Sequence, residues 1–376
     1  MLRNSFIIIP THENPQEICD FILQTTRILT QNNNKVLVVE KNFSLSWKKL
    51  FQQKLFLLSK KNNIFYYKYF YFFPKKIKFL FTKDLFLKLN NKINYLITEF
   101  IIIFLSINKK TYEWIFDLTM ETKKHSLKKR ELILDIVDWF NFKKYKTNLD
   151  KANYIFVNSK TLKKEVAKYN KKKIHLVSQG FDLQMFKKSP IKFLKKKRKT
   201  NVGFIGAISD RIDYDLMINL VKLMPETNFT FIGPIKRDLK IKENKRKQIK
   251  KFLSFSNVKK IESQKKDKIP QLISQLDVCI IPYDVSYLFN ANCYPMKTFE
   301  YLYFEKPIIS TEIKELTDSK FKKFIKIGKN AQEWQKHIEM LNKNNWTEKN
   351  KKEAQQLAIK NSWENKIKEI SEILKN

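Results

Sequence analysis

A lysine and a glutamate, Lys297 and Glu300, lie three positions apart in the segment Pro-Met-Lys-Thr-Phe-Glu-Tyr-Leu at residues 295–302. Pro295 suits the first position of a helix, and helical residues three apart share one face. A nucleoside diphosphate needs a cation beside its phosphates and a hydrogen-bond acceptor beside its ribose hydroxyls, and these two side chains supply both. A solvated surface ion pair is the alternative, and the spacing by itself does not decide between them.

A second candidate site is the segment 202–211, where an apolar run ends at Gly206 and is followed by Arg211. The pattern predicts a buried strand and then a helix that starts near Ser209 or Asp210. A glycine lets the backbone approach a ligand closely, the free N–H groups of a helix start bind phosphate, and an arginine adds a bidentate contact. With two glycines the segment falls short of a full dinucleotide fingerprint, so tight strand–helix packing is the competing explanation.

Strands and helices alternate on both sides of these residues. In the N-terminal half, apolar runs at 6–10 and 35–40 flank a helical pattern at 15–30, which predicts a parallel sheet with crossover helices. A second series starts at Asn201, with strands predicted at 201–206, 228–232, 257–261, 277–282 and 307–310 and helices at 213–223, 242–254, 268–275 and 295–304. The tail from residue 330 has helical patterns only. We therefore expect an α/β protein with two doubly wound domains, which bind ligands at the carboxyl ends of their strands.

The length and the cysteine pattern constrain the class of protein. At 376 residues the chain is long enough for two domains with separate cores. Its cysteines, Cys19, Cys279 and Cys293, have no metal or disulfide spacing. It shows neither a secretory signal pattern nor an uncharged apolar run long enough to span a bilayer. These features predict a cytoplasmic protein.

The net charge of +38, from 75 basic and 37 acidic residues, favours polyanionic partners. Nucleic acid is the less favoured partner, because the abundant residues Lys, Asn, Ile, Phe and Tyr all have AT-rich codons and compositional drift explains much of the lysine. The segment 41–83 carries 11 lysines, no acidic residue and dense aromatics. It is either a helix and strand with a lysine-coated outer face, or a surface that docks at the anionic inner face of a membrane with its rings among the headgroups.

Several segments occur in an order and spacing that resemble the donor domain of GT-B glycosyltransferases, close to the family-4-like bacterial enzymes that build surface polysaccharides and glycolipids. They are Gly-Phe-Ile-Gly-Ala-Ile-Ser-Asp-Arg at 203–211, Phe-Ile-Gly-Pro at 231–234, Asp-Val-Cys-Ile-Ile-Pro at 277–282, the 295–302 segment and Lys-Pro-Ile-Ile-Ser-Thr at 306–311. The resemblance covers about 150–315. It implies two Rossmann-like domains facing a cleft, with residues 1–180 for the acceptor, 181–360 for the nucleotide sugar, and a C-terminal helix at 361–376 packing back on the N-terminal domain.

The resemblance also implies roles for single residues. In the family, the lysine of the Pro-x-Lys-x-x-Glu-Tyr motif contacts the donor diphosphate and its glutamate holds the ribose, which implies these roles for Lys297 and Glu300. Gly206 and Arg211 would lie at the phosphates. Two departures are present. Glu305 occupies the family's usual glycine position, so the helix is expected to end differently, and the Arg/Lys pair of retaining family-4 enzymes is not cleanly matched, which leaves the stereochemical outcome open.

An inverting enzyme of this kind needs a base from the N-terminal half that reaches the acceptor hydroxyl at roughly 2.6–3.2 Å. Asp117, at the end of a predicted strand, has the most favourable location for this role. His12 or Glu13, after the first strand, and Asp138 are the alternatives. Because 127–142 is predicted to be helical, Asp135 and Asp138 could instead be neighbours on one helix face.

We therefore expect a metal-independent transfer of a sugar from a UDP- or GDP-sugar to a glycan or lipid-linked acceptor, with no further cofactor. Positive side chains and helix dipoles would stabilise the departing nucleoside diphosphate. Two rival functions remain. A sugar-nucleotide epimerase of the same fold would turn over free nucleotide sugar without an acceptor, and a non-catalytic polyanion-binding protein would bind nucleic acid in a salt-sensitive way.

Overall fold

The computed structural model describes residues 1–12, 20–45, 58–61, 63–70, 83–120, 126–187, 199–235, 243–342 and 346–375. The chain divides into two compact units. The first combines Met1–Ser178 with Trp363–Asn376, and the second is Gln179–Ser362. Each unit alternates strands with helices around a mostly parallel sheet, which confirms the predicted α/β class. The divisions fall near the expected positions 180 and 361.

The sheet of the first unit contains eight strands within the described residues. They are β1 (Phe6–Thr11), β2 (Lys35–Leu45), β3 (Leu58–Lys61), β4 (Ile64–Phe70), β5 (Thr111–Ile115), β6 (Glu131–Ile136), β7 (Tyr154–Val157) and β8 (Ile174–Leu176). Their order is β3-β4-β2-β1-β5-β6-β7-β8. The strand β3 pairs with β4 in antiparallel fashion and the other neighbours are parallel. The order reverses between β1 and β5, so a ligand site is expected at their carboxyl ends.

Within the described residues, four helices accompany these strands before the second unit begins: α1 (Asp20–Gln31), α2 (Lys83–Leu105), α3 (Lys146–Lys151) and α4 (Lys160–Ala167). Ser159 caps α4, because its Oγ accepts a hydrogen bond from the N–H of Leu162 at 3.0 Å. Within the described residues, no helix combines the length and the apolarity needed to cross a bilayer.

The prediction of a helix at 127–142 is wrong. The segment instead forms the strand β6, whose residues after Glu131 are all buried, and then a loop. A short apolar run inside a parallel sheet is covered on both faces, so periodicity does not separate it from a buried helix. Asp135 therefore lies in a strand, and Asp138 lies in the loop that follows, so the two do not share a helix face.

The second unit has a six-stranded parallel sheet in the order β11-β10-β9-β12-β13-β14, counted over its described residues. The strands are β9 (Asn201–Ile205), β10 (Asn228–Ile232), β11 (Val258–Ile261), β12 (Val278–Ile281), β13 (Ile308–Ser310) and β14 (Ile325–Ile327). The helices are α5 (Leu183–Lys187), α6 (Tyr214–Leu223), α7 (Glu243–Leu253), α8 (Ile269–Ser274), α9 (Leu288–Ala291), α10 (Lys297–Tyr303), α11 (Ala331–Met340) and α12 (Glu348–Lys360). The order reverses between β9 and β12, so a ligand site is expected at their carboxyl ends.

The last helix, α13 (Trp363–Ile373), belongs to the first unit. Its residue Glu364 accepts a hydrogen bond from Arg27 of α1 at 3.0 Å. Its residue Lys366 places Nζ 3.0 Å from Oδ1 of Asp135 in β6, and both side chains are about 1% exposed. A buried ion pair thus connects the end of the chain to the middle of the first sheet.

The segment 41–83 is described only in part, since 46–57, 62 and 71–82 lie outside the described residues. The described aromatic side chains of β4 are mostly buried: Phe65, Tyr67, Tyr69 and Phe70 belong to the core. Those four rings are not available to lipid headgroups. The strand predicted within 41–83 is therefore present as β4. The alternative, in which the rings of this segment lie among lipid headgroups, is wrong for these four rings.

Candidate functional site

Two glycines shape the carboxyl ends of β9 and β10. Gly206 has φ +148° and Gly233 has φ +143°, and residues other than glycine rarely adopt these backbone angles. The N–H of Gly206 donates to the carbonyl of Ile232 at 2.9 Å. A Cβ on Gly233 would lie 2.2 Å from the Gly206 carbonyl oxygen, and a Cβ on Gly206 would lie 2.7 Å from Nζ of Lys297. The bare backbone at Gly206 is therefore what gives the lysine ammonium its space.

Lys297 is the first residue of α10. Its Nζ lies 3.9 Å from the centroid of the Phe204 ring and 5.1 Å from that of Tyr283, so two aromatic faces hold the ammonium. No salt bridge links Lys297 to a carboxylate, Glu300 included, within the described part of the chain. The surface ion pair between Lys297 and Glu300, which was the alternative interpretation of their spacing, is thus absent. A cation held by rings keeps its full charge for an anionic ligand.

Arg211 supplies a second cation beside the same ring. Its Cζ lies 4.3 Å from the centroid of Tyr283 and 4.8 Å from that of Phe289. The Nε group donates to Oδ1 of the buried Asn290 at 2.8 Å, which fixes one edge of the guanidinium. Because Arg211 and Lys297 both contact Tyr283, the structure brings together the two basic residues that the sequence placed 86 positions apart.

The prediction that a helix starts near Ser209 or Asp210, shortly after Gly206, is wrong. The helix α6 begins at Tyr214, and Asp213 caps it by accepting from the N–H of Leu216 at 3.0 Å. Burial raises the pKa of the Asp213 carboxyl. The intervening loop is pinned by backbone hydrogen bonds to the end of β10 and to the residues after β12. The loop, and not a helix start, therefore approaches the site.

Glu300 lies one turn after Lys297 in α10 and is half-buried. The next residue, Tyr301, is fully buried, and its hydroxyl accepts a hydrogen bond from the N–H of Ile205 at 2.9 Å. Burial raises the pKa of this phenol well above its usual value. Tyr301 thus ties the helix carrying Lys297 to the residue just before Gly206.

Glu305 adopts the backbone conformation of the glycine it replaces. Its φ is +57°, its N–H donates to the carbonyl of Leu302, and the N–H of Lys306 donates to that of Tyr301, both at 3.0 Å. This is the left-handed helix end that glycine usually provides. The expectation of a differently shaped helix end is therefore wrong, and the chain accommodates the conformation with a side chain present.

The candidate base Glu13 lies outside the described residues. In the first unit, the other three candidate bases follow three adjacent strands. His12 comes after β1 and is exposed, Asp117 comes two residues after β5, and Asp138 comes two residues after β6 and is exposed. Oδ1 of Asp117 accepts from the N–H of Thr119 at 2.8 Å. Since neighbouring parallel strands end at one edge, the sheet brings all three candidates to the edge where its order reverses.

A cavity of about 400 Å³ lies beside this edge in the first unit. His12, Thr119 and Tyr95 are among its lining residues, together with a network missed by sequence reasoning. In that network, Arg130 forms ion pairs with the buried Glu99 at 2.9 Å and with Glu113 at 2.8 Å. Burial lowers the pKa of Arg130, but the two carboxylates outweigh it and raise the pKa. The cavity therefore has a mixed polar and apolar lining, as small-molecule sites usually do.

The residues that sequence reasoning missed are those that position the cations: Phe204, Tyr283, Phe289, Asn290 and Tyr301. Only Tyr301 carried a signal, as the tyrosine of the Glu-Tyr pair. No group of three or more His, Cys, Asp or Glu side chains is placed to hold a metal ion within the described ranges.

Comparison with known proteins bears on the second unit most directly. Residues 185–361 match the model of a family described as glycosyl transferases group 1. TuaH of Bacillus subtilis (strain 168), a protein named as a glycosyltransferase of teichuronic acid biosynthesis, is 27% identical over 174 residues. That match covers 44% of this chain and 42% of TuaH, so less than half of the relative's length is spanned.

Solved structures match over almost the whole chain. Alr3699/HepE of Anabaena, crystallised in complex with UDP and glucose, has a TM-score of 0.66 at 12% identity and covers 98% of this chain and 99% of its own. Sucrose-phosphate synthase from Thermosynechococcus elongatus has a TM-score of 0.69 at 11% identity, with 99% and 98% covered. At such low identity these likenesses show the fold alone, which is the two-unit GT-B fold.

Proposed function

We propose that this chain, whose residues 185–361 match the model of the group 1 glycosyl transferases, transfers a hexose from a UDP-sugar to a glycan or lipid-linked acceptor. The observation that carries the proposal is the ammonium of Lys297, held by two rings beside Gly206 at the edge where the second sheet reverses its order. UDP is preferred to GDP because a similar solved protein is named with UDP bound.

The donor would lie against the second unit. Lys297 and Arg211 would balance the charge that develops on the departing UDP, a form of electrostatic stabilisation that does not depend on proton transfer. The backbone at Gly206 would approach the phosphates, and Glu300, one helical turn from Lys297, would accept hydrogen bonds from the ribose hydroxyls.

The acceptor would bind in the cavity of the first unit. The base would come from His12, Asp117 or Asp138, the residues after β1, β5 and β6. Among these, only His12 is a lining residue of that cavity as the structure describes it. The buried network of Arg130 with Glu99 and Glu113 would accept hydrogen bonds from, and donate them to, the sugar hydroxyls.

The proposal is tested by measuring thermal stabilisation across a panel of UDP- and GDP-sugars and then release of UDP with and without added acceptors. We expect stabilisation by UDP-sugars and acceptor-dependent UDP release. Conversion of the sugar nucleotide in the absence of any acceptor would identify an epimerase instead. Binding of nucleic acid without binding of any nucleotide sugar would identify a polyanion-binding protein.

The base is assigned by comparing His12→Gln, Asp117→Asn and Asp138→Asn. Loss of the base is expected to lower the turnover rate by roughly 100-fold or more while the affinity for UDP stays at the parent value. Asp150→Asn is the matched control, because Asp150 is an exposed aspartate of the same unit that pairs with Lys146 on α3. If all three variants keep parental turnover, the base lies elsewhere or the reaction needs none.

A further inference from the structure

The helix α2 has two faces with different surroundings. Its inner face contributes Tyr95, Thr98 and Ile102 to the cavity of the first unit. Its outer face exposes apolar side chains at helical spacing, namely Leu96, Phe100, Ile103 and Phe104, with Ile107 just beyond the helix. Phe100 is 65% exposed and Phe104 is 75% exposed. Rings exposed to this degree, side by side, are uncommon on a soluble surface and indicate an interaction site.

A neighbouring loop extends the same apolar surface. The N–H of Leu127 donates to Glu99 of α2 at 3.0 Å, and Nζ of Lys128 donates to the carbonyl of Ser106 at 2.8 Å. These contacts lay the loop along the C-terminal half of the helix. Leu127 is itself 61% exposed, so it adds to the exposed apolar surface, which we call the α2 patch.

Basic residues surround the α2 patch. Lys88 and Lys92 precede Leu96 at four-residue spacing on the helix, and Lys129 follows Leu127; all three are exposed. None of the three forms a salt bridge with another described residue. The only acidic residue between positions 85 and 110 is Glu99, which is fully buried and neutralised by Arg130. The patch therefore combines exposed rings with uncompensated positive charge.

We propose that the α2 patch docks the protein on an anionic lipid bilayer. Rings and aliphatic side chains would enter the boundary between headgroups and acyl chains, while the lysines contact lipid phosphates. A second copy of the chain is the alternative occupant, but it would bring a net charge of +38 against +38, which opposes self-association. The inference goes beyond the proposed sugar transfer and does not depend on it. It places the membrane-facing surface outside the segment 41–83.

The test uses the full-length protein and vesicles of phosphatidylcholine with or without phosphatidylglycerol, separated by sedimentation. The parent is expected to bind the vesicles that contain phosphatidylglycerol and to bind pure phosphatidylcholine much less. Phe100→Ser/Phe104→Ser should lower the partition coefficient by about tenfold or more. Lys92→Gln and Lys129→Gln should each lower it by about fivefold and reduce its salt dependence.

Matched controls come from the second unit. Leu223→Ser removes another exposed apolar side chain, and Lys250→Gln/Lys251→Gln removes two exposed lysines of α7; both should bind vesicles as the parent does. Equal loss in the controls would show that the binding is a general effect of charge or apolarity. Parental vesicle binding by the double phenylalanine variant would overturn the proposal.

Two further measurements separate the remaining outcomes. If the parent sediments in solution as a dimer that Phe100→Ser/Phe104→Ser dissociates, the α2 patch is a contact between copies and the lipid proposal fails. UDP affinity, measured by calorimetry on the same variants, is expected to stay at the parent value. A protein that binds vesicles as predicted but binds no UDP would refute the proposed function and leave this proposal standing.

Discussion

Lys297→Met is the substitution that most directly tests the proposed donor site. Methionine keeps an unbranched apolar stem that can still contact the ring of Phe204, but it removes the charge. In the parent, Nζ lies 3.9 Å from that ring and meets no carboxylate among the described residues. The substitution therefore removes a phosphate-binding cation with little change in the packing around it.

The size of the effect follows from the contacts of Lys297. A hydrogen bond to a charged group contributes about 1.5–3 kcal/mol, which corresponds to roughly 10- to 150-fold in affinity. Arg211 contacts the same Tyr283 ring and would still attract the phosphates of UDP. The loss of affinity for UDP is therefore expected in the lower part of that range. The double variant Lys297→Met/Arg211→Met should lose more than about 100-fold. The melting temperature without nucleotide should fall by less than about 4 °C, because a cation–π contact is weak.

Isothermal titration with UDP at two salt concentrations measures this affinity and separates site binding from the general attraction of a chain with net charge +38. Lys320→Met is the matched control, since Nζ of Lys320 also lies near two rings of the second unit, 5.4 Å from Tyr294 and 5.0 Å from Phe321. The control should bind UDP as the parent does. A Lys297→Met variant whose affinity lies within about twofold of the parent would refute the assignment of Lys297 to the phosphates.

Four other substitutions test the parts that position the site and the C-terminal helix. Gly206→Ala should lower UDP affinity by roughly tenfold or more and the free energy of unfolding by about 1–3 kcal/mol, because its Cβ would lie 2.7 Å from the neighbouring ammonium; unchanged calorimetry would contradict this. Tyr301→Phe leaves a buried N–H without its acceptor and should cost about 1–3 kcal/mol in urea unfolding; a parental midpoint would show that the hydrogen bond is dispensable. Glu305→Gly should raise the free energy of unfolding by about 1 kcal/mol, since φ is +57°; a loss of stability would point to a role for the carboxylate. Lys366→Met should lower the free energy of unfolding by about 3–5 kcal/mol, whereas that of Lys366→Met/Asp135→Leu should stay within about 1 kcal/mol of the parent. Additive losses of stability in the double variant would rule out coupling of the pair.

The sequence by itself determined most of the second unit. Its strands are short apolar runs that end at glycine, proline or a polar residue, and its helices start and stop at local signals, so the alternation can be recognised without knowing the packing. The same local pattern identified Gly206, Arg211, Lys297 and Glu300 as candidates, because each follows a predicted strand. Neighbouring strands of one parallel sheet end at one edge, which brings such residues together.

Only the tertiary structure decided which side chains position those residues and which segments of the first unit form strands. The strand β6 was mistaken for a helix because burial on both faces removes the alternation that marks a strand. The rings of Phe204 and Tyr283 that hold Lys297, and the pair of Asp135 with Lys366, join positions far apart in the chain, the latter by 231 residues. Contacts of this kind depend on the order of strands in a sheet, and no local spacing of residues records that order.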